Sequence, residues 1–302
     1  MSVPPRSLTR VRIAVTGSTG TVGSQVVSLL AASAGPEVVA LARRPEAVPA
    51  LLSEAARRAA RSGRVSAVRG DYDDPGSLVA ALEGVDVLVF VSGDGEAARM
   101  LVQHQNVVRA AADAGVGHVV YLSGVDADPA SPFCYAFTNG WTERLVEGSG
   151  LPFSFARASL FTEFFAAFLG PALASGELRV PAGQGRVSLV SRSDVGRCLA
   201  ALALLPPSGR AHDLSGPVSL SLDAVAEVLS GIAGRAVRYT DVPPPVLAEE
   251  LARAGEDPWW TYAYSGMFAS VRQDRWGVVS DEVLRLTGRG PAALDVVVRA
   301  TA

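Results

Sequence analysis

Short apolar runs alternate with stretches of helical period over the first half of the chain. Residues 11–16 (VRIAVT) are a β-branched apolar run that ends on glycine, the pattern of a strand buried on both faces. Apolar positions in 21–32 then recur every three to four residues, as on an amphipathic helix. The alternation continues with strands predicted at 37–41, 64–69, 85–91, 118–122 and 152–157, and helices at 51–61, 77–82, 97–114 and 133–148. Units of this length are βαβ crossovers. They predict an α/β fold, a doubly wound parallel sheet with helices on both faces.

Beyond residue 157 the rhythm loosens. An aromatic-rich stretch, SLFTEFFAAFLG, runs into a Gly/Pro-containing segment at 176–185. Helices are predicted at 193–205 and 222–233, strands at 211–215 and 236–240, and a helical tail carries PWWTYAYSGMF at 258–268. No internal repeat or low-complexity linker interrupts it, which suggests a smaller C-terminal α/β lobe packed on the sheet.

Composition narrows the chemistry. All 27 basic residues are arginine, so no lysine is present to form a Schiff base, grip a phosphate in a P-loop, or assist a tyrosine. Thirty acidic residues leave a net charge of −3, which argues against a nucleic-acid footprint. With 49% hydrophobic and 19% charged residues the chain can build a large core. Cys134 and Cys198 are too few for a disulfide framework, and three histidines make no metal cluster. The apolar runs at 85–91 and 198–205 are far too short to span a membrane, and MSVPPRSLTR at the start has no apolar signal core. A cytoplasmic protein, with no nucleic-acid, membrane or metal partner, is expected.

The sequence VTGSTGTVG sets Gly17, Gly20 and Gly23 between a predicted strand and a predicted helix. In that context the glycines have separate uses: a tight turn, close approach of backbone to a pyrophosphate, and close helix–strand packing. The helix N-terminus offers N–H groups to phosphate. Gly17, Ser18, Thr19, Gly20, Thr21, Val22 and Gly23 are therefore candidate cofactor contacts. At the end of the second strand stand Arg43 and Arg44, with no acid before Glu46. A carboxylate there would take a ribose hydroxyl, whereas arginine suits a 2′-phosphate. NADP(H) is preferred to NAD(H), with a solvated charge pair as the plain alternative.

The spacing of the glycines is that of short-chain dehydrogenase/reductases. GSTGTVG, LARRPE, RGDYDDPGSLVAALEGVDVLVFVSG, HVVYLSGVDA and LTGRGPAAL resemble the NmrA-like atypical members, and among them the NADPH:quinone reductase branch. The resemblance implies an NAD(P)-binding Rossmann domain over 1–157 and a substrate lobe over 158–302, parts of which could interleave. It also implies that Asp71 and Tyr72 contact adenine, and that Val91, Ser92 and Gly93 line the adenosine ribose and pyrophosphate side. As plain alternatives, Asp71 is a turn or cap residue and Ser92-Gly93 an ordinary turn.

In the standard enzymes a serine follows the fifth strand and a Tyr-x-x-x-Lys lies on the next helix. Here Ser123 takes the first place and Tyr135 the second, but the fourth residue on is Asn139. Glu143 supports that register. An unassisted tyrosine, with a pKa of about 10, is poorly matched to proton exchange near neutrality. A quinone manages without strong acid catalysis, because its reduced anion is delocalised. Ser123, Tyr135 and Asn139 are candidate donors to the developing oxyanion, and Asn139 also to the cofactor ribose.

Ligands of open α/β sheets sit beyond the carboxyl ends of the strands. Phe161, Phe164 and Phe165 follow the sixth strand, and the lobe offers Trp259, Trp260 and Tyr264 as further walls for a flat aromatic substrate. Core packing would use the same residue types. His104 is expected to be structural or on the surface, His118 and His212 have no nucleophile partner nearby in sequence, and the YLSG context of Ser123 is not a hydrolase elbow. The reading is an NAD(P)H-dependent reductase, monomeric or homodimeric, of a quinone-like or polycyclic aromatic carbonyl compound. An aromatic polyketide tailored before hydroxylation by a partner oxygenase is the specific form. Two alternatives stay open: a non-catalytic dinucleotide sensor, and a non-redox isomerase or dehydratase.

Overall fold

A computed structural model describes residues 11–301. Residues 1–10, on which the absence of a signal core was read, lie outside them. The first half contains β1 (Arg12–Val15), α1 (Thr21–Ala32), β2 (Glu37–Ala42), a short 3-10 turn, α2 (Val48–Leu51), α3 (Glu54–Arg61), β3 (Val65–Arg69), α4 (Pro75–Leu82), β4 (Val87–Phe90), α5 (Ala97–Asp113), β5 (His118–Gly124), α6 (Cys134–Gly148) and β6 (Phe153–Ala158). The helix expected at 51–61 is two pieces. Leu52 is extended, and the Ser53 hydroxyl caps α3 by accepting from the Ala56 N–H, as serine at an N-cap does.

The second half continues with α7 (Thr162–Ser175), β7 (Glu177–Val180), β8 (Arg186–Val187), α8 (Arg192–Ala203), β9 (Ala211–Leu214), β10 (Leu220–Ser221), α9 (Leu222–Ala233), β11 (Arg238–Asp241), α10 (Pro244–Arg253), α11 (Pro258–Arg272), α12 (Glu282–Thr287) and α13 (Leu294–Thr301). β7 lies in the segment read only as Gly/Pro-rich, a four-residue strand between Gly176 and Pro181 that is too short to announce itself. It pairs in parallel with β11.

Seven strands form one parallel sheet in the order β3-β2-β1-β4-β5-β6-β9. Alternate residues face opposite sides. Ile13, Val15, Val38, Ala40, Val87, Val89, Val120, Ala156 and Ala158 pack under α1, α3 and α8. Ala14, Val39, Leu41, Leu88, Phe90, Val119, Tyr121 and Phe155 pack under α4, α5 and α6. The chain beyond residue 157 divides between two places. α8, β9 and α12 return to the sheet, while α7, α9, α11, α13 and the β7–β11 pair enclose a separate core. No helix among the described residues is long and apolar enough to cross a membrane.

Candidate active site

The site begins where β1 and β4 end side by side. The Thr16 hydroxyl donates to the Val91 carbonyl at 3.0 Å and accepts the Val91 N–H at 2.9 Å. The Tyr72 hydroxyl donates to the same carbonyl at 2.6 Å, and burial keeps it protonated. Gly17 turns there with φ +59°, where a side chain would be strained and its Cβ would lie 2.9 Å from the Val91 oxygen. A Cβ on Gly23 would stand 2.2 Å from the Gly17 oxygen, so helix and loop touch backbone to backbone.

Helix α1 starts at Gly20 without a side-chain cap, leaving its first-turn N–H groups for an anion. Arg43, exposed at the end of β2, has no hydrogen bond or ion pair among the described residues. Both features fit a phosphorylated dinucleotide: backbone for its pyrophosphate and an uncommitted guanidinium for a 2′-phosphate.

One cleft of about 1150 Å³ is lined by Gly17, Thr19, Gly20, Thr21, Val22, Gly23, Arg43, Asp71, Tyr72, Val91, Ser92 and Gly93, and equally by Ser123, Tyr135, Asn139, Phe161, Phe164, Trp259, Trp260 and Tyr264. Three expected residues stand elsewhere. Ser18 is buried, its hydroxyl donating to the Leu41 carbonyl at 2.7 Å and tying the loop to β2. Arg44 is exposed and outside the cleft lining, and Phe165 is fully buried in the lobe against Phe168 and Phe268.

The catalytic candidates differ in what they have left to give. The Ser123 hydroxyl donates to Glu143 at 2.6 Å, and Glu143 also accepts from Arg157 at 2.9 and 2.5 Å. Its proton is committed away from a substrate. The Tyr121 hydroxyl donates to Asn139 Oδ1 at 2.7 Å, which orients the amide. The Asn139 Nδ2 has no partner among the described residues, and it reaches over Gly124, where a Cβ would be 3.0 Å away. Tyr135 sits among Phe133, Trp259 and Trp260, with ring centroids 5.4, 6.5 and 6.4 Å away. Burial, reinforced by Asp94, pushes its phenol above the ordinary value, so it is a neutral donor.

The aromatic wall is continuous. Trp260 stacks on Tyr264 at 5.6 Å, and Phe164 meets both. Sequence reasoning missed Trp276 and Arg192, which also line the cleft; Arg192 lies over the Phe161 ring at 5.5 Å. No motif marks either position.

His104, His118 and His212 are buried and line no part of the cleft. His212 does have a serine: the Ser208 hydroxyl lies 2.8 Å from Nε2, and Glu282 lies 2.7 Å from Nδ1. The group is a clasp. Ser208 also bonds Ser154, and Arg285 approaches Nδ1 at 3.2 Å, tying the 204–210 loop and β9 to α12. Burial lowers His104 and His118 to about 4, against about 6.5 in an unfolded chain. Below pH 6.5 the unfolded chain therefore takes up protons that the fold refuses, and stability falls as pH falls. Between pH 6.5 and 4.5 each histidine is expected to cost roughly 2–3 kcal/mol. Urea midpoints across that window check this, and His118→Gln should remove one share of the slope.

Residues 9–269 match the NmrA-like family. The NAD(P)H azoreductase of Xenophilus azovorans is 31% identical over 285 residues, covering 92% of this chain and 93% of that protein. The triphenylmethane reductase of a Citrobacter species, solved with NADP(H), superposes with a TM-score of 0.84 at 29% identity, covering 96% of this chain and all of the other (100%). The NADPH complex of the Escherichia coli quinone oxidoreductase QOR2 also gives 0.84, at 26% identity over 96% of this chain and 99% of that one. Sheet and glycine loop define a dinucleotide-binding α/β protein. The chain belongs to the NmrA-like family.

Proposed function

We propose that the cleft reduces a quinone-like or polycyclic aromatic carbonyl compound to its hydroquinone, at the expense of NADPH. The chain is an NAD(P)H-dependent oxidoreductase of NmrA-like type. The observation that carries the finer reading is the meeting, in one cleft, of the uncapped glycine loop and Arg43 with the wall of Phe164, Trp260 and Tyr264. Relatives named for azo, quinone and triphenylmethane reduction support it.

The glycine loop and α1 N-terminus would hold the pyrophosphate and Arg43 the 2′-phosphate. When bound, the reduced nicotinamide supplies a hydride. The protein's own groups do the rest: the aromatic wall orients a flat ring, and Tyr135 and Asn139 Nδ2 face the cleft as neutral donors. Neither releases a proton near neutrality, which suits an acceptor whose anion is delocalised. An aromatic polyketide is the proposed natural substrate, its hydroquinone then suited to hydroxylation by a separate oxygenase.

Anaerobic mixing with excess 1,4-naphthoquinone or an anthraquinone should consume NADPH and yield one hydroquinone for each. Tight cofactor binding without oxidation by any quinone would overturn the proposal and fit a sensor. Arg43→Ala should raise the KM for NADPH by about 10–100-fold, the worth of a charge-assisted phosphate contact. The KM for NADH should barely move, and an equal loss for both cofactors would count against Arg43.

A further inference from the structure

Buried polar side-chain atoms are almost always paired. Within the cleft two form no well-made hydrogen bond among the described residues: the buried Tyr135 hydroxyl and Trp259 indole Nε1, which face each other closely enough for the indole N–H to favour the Tyr135 anion. The two rings meet nearly edge to face, 6.5 Å apart at 85°. Trp259 stands in the first turn of α11, where its backbone N–H is held by the Asp257 carboxylate at 2.8 Å. Trp276, also in the cleft lining, gives its N–H to Ser270 at 2.6 Å, so an idle indole is not general here.

We infer that the Trp259 indole N–H is a catalytic donor which, with the Tyr135 hydroxyl, binds the substrate oxygen that takes up charge. An indole N–H donates and never accepts. The bound atom is therefore an acceptor, such as a carbonyl oxygen. The inference rests on the reduction proposed above. There, hydride supplied by NADPH, which becomes NADP+, bonds to one quinone oxygen while the π pairs shift through the ring and the far C=O π bond breaks onto the second oxygen. The two donors hold that oxyanion until water protonates it, giving the hydroquinone. Their bonds strengthen as charge develops, so their loss should appear in kcat.

Trp259→Phe keeps a ring in place and removes only the N–H. It should lower kcat for 1,4-naphthoquinone by about 10–100-fold, with KM for the quinone and the Kd for NADPH nearly unchanged. The second readout needs no turnover. Indole 15N–1H spectra of the NADP+-bound wild type contain signals from four tryptophans, and the Trp259 signal is assigned by its absence in the variant. Saturating 1,4-naphthoquinone should move that signal downfield. A shift without NADPH consumption would leave the donor standing and remove quinone reduction. Wild-type kcat in Trp259→Phe, or a Trp259 signal that stays fixed on adding quinone, overturns the inference.

Discussion

Gly23→Ala is expected to weaken NADPH binding at least about 100-fold, the equivalent of roughly 3 kcal/mol. The added Cβ would stand 2.2 Å from the Gly17 oxygen, 2.6 Å from its carbonyl carbon and 3.0 Å from the Ser18 nitrogen. All three are backbone atoms, so no side chain can rotate away. Either the loop lifts or α1 retreats, and the N–H groups that face the pyrophosphate lose their aim. The same change at Gly231, in α9 with nothing within 4 Å of its Cβ position, should be neutral or stabilise by about 0.5–1 kcal/mol. Fluorescence titration with NADPH compares the two. Wild-type affinity in Gly23→Ala would refute the role given to the loop.

The second large effect is expected from Arg157→Leu. Glu143 is buried and accepts from Ser123 and twice from Arg157. Removing the arginine strands a carboxylate in the core, a loss of about 3–5 kcal/mol. For a chain of this size the melting temperature should fall by roughly 10 °C. Exchanging both Glu143 and Arg157 for leucine should recover much of it, because the lone charge then goes too. Thermal unfolding of both variants checks this, and a double variant no better than Arg157→Leu would show that the pair itself stabilises. Releasing Ser123 from Glu143 would also free its hydroxyl toward the cleft.

The sheet was legible because its strands carry unbroken apolar runs and its helices a clear period. The glycine loop was legible because its context, strand before and helix after, is part of the motif. What escaped depends on contacts between distant segments. Phe164 and Phe165 are adjacent on α7, about 100° apart around the helix, so one faces the cleft and the other the lobe core. Sequence alone does not say which. Ser123 read as an oxyanion donor until β5, α6 and β6 brought it to Glu143 and Arg157. Asn139 read as the place of an absent lysine, but its orientation comes from Tyr121, a residue that carried no site role in the sequence. His212 meets Glu282 across 70 residues, beyond any local pattern.

The path of the chain after β6 has a mechanical consequence. It leaves the sheet for α7, β7 and β8, returns for α8 and β9, leaves again for β10 through α11, returns for α12, and ends in the lobe with α13. Five strands of covalent tether therefore join the two cores, and the floor and roof of the cleft hang from the same tethers. Neither core can melt without dragging at the other's boundary elements. The molecule should lose its aromatic wall and its dinucleotide loop in one cooperative event, and a cut anywhere between β6 and α13 should release two fragments that each lack part of their own interior.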